Sequence, residues 1–141
     1  MATPTTFRYR AWGVTIASEL ALAPYLDAAS GDGRADVVVA RRREGRDSAQ
    51  TDARAACARE GVRLASQGLV FEVCDGAQVI VVDDRGASAD NLAQFVAGPV
   101  MGAVRTQRRC YVLHASAVRL DGEVVAFTAA SGVGKSTLAA Q

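Results

Sequence analysis

Lysine is almost missing from this chain: arginine supplies fifteen of the sixteen basic side chains, and Lys135 is the one exception. Cysteine is sparse. Cys57, Cys74 and Cys110 form an odd set with no C-x-x-C spacing. That argues against a disulfide framework or a zinc site and predicts free thiols in a reducing compartment. Charge of one sign is not in excess. A net charge of +1 argues against a general role on nucleic acid or on a membrane surface. No long hydrophobic run is present. The longest apolar stretch, Phe95 to Val104, is far too short to span a bilayer. The first residues, Met1 to Arg8, contain no apolar core of a secretory signal. A soluble, cytoplasmic protein is expected.

What remains is enough for a packed domain. Half of the 141 residues are apolar, which suits one domain, or a small domain followed by part of another. No internal repeat is visible. Phe7 to Ile16 reads as an early strand, with Phe7, Tyr9 and Ala11 alternating against Arg8 and Arg10. Glu19 to Leu26 carries Leu20, Leu22 and Leu26, with Pro24 as a break. Asp36 to Ala40 is a strong strand signal after the Gly31-Asp32-Gly33 turn. Residues 41–66 are charged and alanine-rich and read as loop, with a helix uncertain. Within them Arg41 to Arg46 is interrupted by Glu44. It reads as a solvated loop, the alternative being a docking surface for an acidic partner.

Two apolar runs, Leu69 to Val73 and Gln78 to Val82, flank Asp75-Gly76, a favoured tight-turn pair, and predict a hairpin. Ser88 or Asp90 then offers a helix cap. Leu92, Phe95, Val96, Val100 and Val104 fit one helical face over residues 89–109, with Pro99 kinking or dividing it. Arg105, Arg108 and Arg109 lie near its end, where positive charge complements the helix dipole. A second hairpin follows: Tyr111 to Val118, a turn at Asp121-Gly122, then Glu123 to Phe127.

The solitary lysine stands directly after that hairpin, in Ser131-Gly132-Val133-Gly134-Lys135-Ser136-Thr137. Strand, glycine-rich loop and helix start occur in the order that a nucleotide phosphate loop requires. Backbone N–H groups must turn inward around a phosphate, and Gly132 and Gly134 permit the angles. Lys135 supplies a compact point charge for the β- and γ-phosphates, where an arginine would be longer and wrongly forked. The Ser136 hydroxyl is the expected Mg²⁺ ligand. The motif G-x-x-x-x-G-K-[ST] departs at one place: Ala129 stands where its first glycine would be, which is tolerable at negative φ. The bland alternative is a Gly/Ser turn before a surface helix.

These residues resemble a known family. Leu113 to Val118, then Asp121 to Phe127, then Ser131 to Ala139 look like the P-loop domain of the HPr kinase/phosphorylase type. They are closer still to the HPr-kinase-like serine kinases of bacterial gene clusters, including some that make ribosomal peptides. Tyr9 to Ser18 is similar, more weakly, to the leader domain of those proteins. The resemblance implies ATP-dependent phosphorylation of a serine on a protein or peptide, with Mg²⁺ and ATP as cofactors. It carries over Gly132, Gly134, Lys135, Ser136 and Thr137 as nucleotide loop; Ser131 and Val133 complete the run. His114 matches the family's histidine near the phosphates. A lone histidine in an apolar strand is, on the residues alone, more often a satisfied core side chain, so both roles stand. The family's paired aspartates would lie past Gln141. The chain is therefore expected to be a fragment, catalytically silent alone. Full HPr kinases form rings, which leaves a homo-oligomer open.

The expected architecture is thus α/β: a small mixed domain over residues 1–109, then the opening hairpin and phosphate loop of an incomplete P-loop kinase domain over residues 110–141. The competing readings are a nucleotide-binding regulatory module without phosphotransfer, and a different P-loop kinase or ATPase.

Overall fold

The computed structural model describes residues 6–42, 61–130 and 132–140, with the backbone alone at position 135. The protein is mixed α/β, mostly strands with few helices, and divides into two compact units, Met1–Cys110 and Tyr111–Gln141.

The described residues of the first unit form a mixed sheet: β1 (Phe7–Ala11), β2 (Val14–Ser18), β3 (Asp27–Ala28), β4 (Val37–Arg41), β5 (Val62–Ser66), β6 (Leu69–Cys74) and β7 (Gln78–Asp83). Their order across the sheet is β3-β1-β2-β4-β7-β6-β5. β4 runs parallel to both β2 and β7, and every other pairing is antiparallel. The expected single strand over residues 7–16 is instead a hairpin. Trp12 and Gly13 sit at φ 50° and 74°, the paired left-handed angles of a tight hairpin turn. The bulky Trp12 at the first turn position hides that turn from a composition-based reading.

The loop expected to residue 66 is also corrected at its end. Val62–Ser66 is an edge strand that reaches β6 through a turn at Gln67 and Gly68, φ 50° and 83°. It is mostly exposed, so it lacks the alternation that marks a half-buried strand. Residues 43–60, with most of the arginine-rich patch, lie outside the described residues. Arg41 belongs to β4, and Arg42 is not a freely solvated side chain. It pairs with Glu72 at 2.6 Å, both groups partly buried.

The hairpin at residues 69–83 matches its expectation, with Asp75 and Gly76 at φ 53° and 61°. The helical stretch begins at the Ser88 hydroxyl, which accepts the Asn91 amide at 3.2 Å. Helix α1 (Ala89–Phe95) passes into a π-helical turn (Val96–Val100) and then α2 (Met101–Gln107). Pro99 lies in the π turn. It has no N–H, and its ring crowds the carbonyl four residues back, so the wider turn relieves both problems and divides the helix. Leu92, Val96, Val100 and Val104 are buried along one face. With them in one core are Ile16, Val37, Val39, Phe71, Val73, Val79 and Val81 from the sheet. Phe71 and Phe95 stack with ring centroids 5.3 Å apart. Leu20, Leu22 and Leu26 join the same core from the segment after β2.

Two polar devices fix this unit. The Tyr9 hydroxyl accepts the Leu22 amide at 2.8 Å in a buried position. Tyr9→Phe is expected to leave that N–H unpaired and to cost about 1–3 kcal/mol in chemical denaturation. At the end of α2, Gln107 accepts the Gly76 amide at 2.7 Å and donates to the Val73 carbonyl at 3.0 Å. Arg108 donates to the carbonyls of Gly76 at 2.6 Å and Asp36 at 2.7 Å. Arg108 therefore clamps the β6–β7 turn rather than only complementing a helix end. A Cβ on Gly76 would meet Arg108 Cγ at 2.7 Å and the Val104 carbonyl oxygen at 3.1 Å. Gly76→Ala combines that collision with a left-handed φ, and a loss of about 1–3 kcal/mol is expected in thermal or urea unfolding.

The cysteines correct one expectation. Cys110 is a free thiol, but Cys74 is disulfide-bonded; Cys57 lies outside the described residues. Spacing alone could not reveal this, because a disulfide depends on distance in the fold. Among the described residues no helix is long and apolar enough to cross a membrane.

The second unit holds an antiparallel hairpin, β8 (Ala115–Leu120) and β9 (Glu123–Thr128), and helix α3 (Lys135–Ala139). Asp121 and Gly122 make its turn at φ 50° and 88°. The strand expected from Tyr111 begins only at Ala115. The last pairing is Ala115 with Thr128, after which the chain leaves β9 for the loop and Tyr111 to His114 have no strand beside them. Among the described residues of this unit none is fully buried. Two strands and a helical turn have little interior to offer.

Candidate functional site

Within the second unit, the segment between β9 and α3 carries the glycine, lysine and serine run singled out from the sequence. It leaves β9 at Thr128, passes Ala129 and Ala130, and enters α3 at Lys135. Ala129 is not among the described residues with positive φ, so an alanine there is unstrained. Gly132 and Gly134 adopt φ 83° and 86°. Both angles are left-handed, where a side chain is costly and glycine is not. A Cβ at either place would touch nothing within 4 Å, so the demand for glycine comes from the backbone alone. Left-handed residues of this kind recur in backbone loops that bind anions.

Gly134 caps α3, and its carbonyl accepts the Leu138 amide at 2.9 Å. Lys135 is the first residue of the helix and Ser136 the second. Val133, Ser136 and Thr137 are exposed. Ser131 and the Lys135 side chain lie outside the described residues. The Ser136 hydroxyl meets the Ser116 hydroxyl of β8 at 3.2 Å, and either can donate. Sequence reasoning did not single out Ser116. The signal is its register: Ser116 stands opposite Phe127 on β9, two residues before the chain enters the loop segment at Ala129.

His114 is not in a strand, as expected, but one residue ahead of β8, and it is exposed. No hydrogen bond or ion pair joins it to the loop among the described residues.

The donor set can be weighed against the cofactors the motif implies. Among the described residues no group of three or more His, Cys, Asp or Glu gathers as a metal site. Mg²⁺ prefers hard oxygen donors, keeps several waters and often takes phosphate oxygens, so one serine hydroxyl suits it. An exposed Ser136 beside left-handed glycines fits that partial role. Shifted ionisation occurs elsewhere. A hydrogen bond from Arg85 holds the Asp83 carboxyl below the usual carboxylate range, in an exposed pair of the first unit.

Comparison with protein-family models, curated proteins and solved structures finds no match.

Proposed function

We propose that this chain carries the nucleotide-binding loop of an ATP-dependent serine kinase of the HPr-kinase type, which phosphorylates a serine on a protein or peptide. The observation that supports it most is the run Ser131 to Thr137, in which the only lysine of the chain follows two left-handed glycines and opens a helix. In this reading the amides of residues 132–136 surround the phosphates, and Lys135 offsets their charge. Ser136 offers its hydroxyl to Mg²⁺. Thr137 follows as the second hydroxyl of the run. Bound with Mg²⁺, ATP supplies the transferable phosphoryl group. His114, exposed before β8, is available to a phosphate or an acceptor rather than to a core.

Calorimetric titration of the chain with ATP and Mg²⁺ tests the reading. Saturable binding that requires the triphosphate supports it, and absence of binding ends it. Incubation of the full-length protein, rather than of this chain, with ATP labelled at the γ-phosphate then separates the two leading functions. Label on serine of an acceptor marks a kinase. Bound nucleotide without transfer marks a regulatory module.

A further inference from the structure

We infer that Ser116 is a positioning residue for Ser136, holding its hydroxyl in the orientation a Mg²⁺ ligand requires. The inference rests on the nucleotide-loop reading above. Ser136 Oγ and Ser116 Oγ are 3.2 Å apart, and without a metal either can donate. A hydroxyl bound to a cation directs a lone pair at it, and its proton must point elsewhere. Ser116 supplies the acceptor for that proton. Metal binding thus selects one direction of an otherwise ambiguous hydrogen bond: Ser136 donates and Ser116 accepts. Partners of this kind orient metal ligands and strengthen their binding.

The backbone makes Ser116 suitable. It lies inside β8, opposite Phe127 on β9, so the strand ladder fixes its Cα. It is half-buried, whereas Ser136 is exposed on the first turn of α3. The more constrained hydroxyl therefore sets the rotamer of the less constrained one. A serine here has no packing advantage over alanine or valine in a strand, so its hydroxyl is the property that matters.

The test compares the parent chain with Ser116→Ala, Ser116→Thr, Ser136→Ala and the double alanine variant, each titrated with ATP in Mg²⁺ and in EDTA. Ser116→Ala is expected to weaken Mg²⁺–ATP binding about five-fold, the worth of one ordinary hydrogen bond, and to leave Mg²⁺-free binding unchanged. Ser116→Thr keeps the hydroxyl and is expected to bind as the parent does. In the Ser136→Ala background the Ser116 change is expected to add nothing. If Ser136→Ala abolishes the Mg²⁺ increment while Ser116→Ala keeps it, the positioning role is overturned and the loop reading survives. Equal weakening with and without Mg²⁺ also overturns it, because a purely structural role behaves that way. A parent chain that binds no ATP overturns both.

Discussion

Lys135→Ala is expected to reduce affinity for a nucleoside triphosphate by about 10- to 150-fold, the equivalent of about 1.5–3 kcal/mol for a lost charge-assisted contact. The reasoning starts from composition. A chain that uses arginine at every other basic position keeps lysine at the start of α3. Chance is a poor account of that exception, because a planar guanidinium is too long and too rigidly forked for a tight phosphate loop. Lys135→Arg is therefore expected to impair binding as well, through geometry with the charge retained. Stability of the first unit should not change in either variant, which circular dichroism melting would verify. Parent-like ATP binding by Lys135→Ala would reduce Gly132 and Gly134 to a surface turn.

The largest effect on stability is expected at Phe71. Its side chain is 0% exposed and stacks on Phe95 from the π-divided helix. Phe71→Ala removes the largest of the fully buried side chains, on β6 between Val81 of β7 and Leu64 of the edge strand β5. Transfer and cavity costs together amount to about 3–5 kcal/mol. Small domains are stable by only about 5–15 kcal/mol, so about a fifth or more of the total is at stake. Urea titration should show a lower midpoint with an unchanged slope. A loss below about 1 kcal/mol would mean that the core around Phe71 is not packed as described.

The parts of the fold that could be read from the sequence were those with a local rule. Asp75-Gly76 and Asp121-Gly122 announced their hairpins because those dipeptides accept left-handed angles, and both pairs adopt them. The spacing of Leu92, Val96, Val100 and Val104 gave the helix face, and Pro99 its division. The Trp12-Gly13 turn was missed because tryptophan is not a turn residue. Strand β5 was missed because an exposed edge strand carries no alternation. The sheet order, with β4 parallel to β2 and β7, depends on long-range pairing that no local pattern encodes.

At the candidate site the same division holds. The glycines, lysine and serine of residues 132–136 form a contiguous motif and were legible. Ser116 was not, because its meeting with Ser136 joins residues twenty apart and depends on how α3 approaches β8. His114 was placed in a strand by its apolar neighbours. It falls outside because β9 turns into the loop after Thr128 and leaves no partner beside it.

The most direct test of the central claim is to follow the backbone amides by NMR while ATP and Mg²⁺ are added to the isotope-labelled chain. The account predicts saturable shifts concentrated at Gly132, Val133, Gly134, Lys135 and Ser136, larger with ATP than with adenosine. Resonances of the first unit should stay in place. No shift at the loop, or shifts of equal size with adenosine, would contradict it.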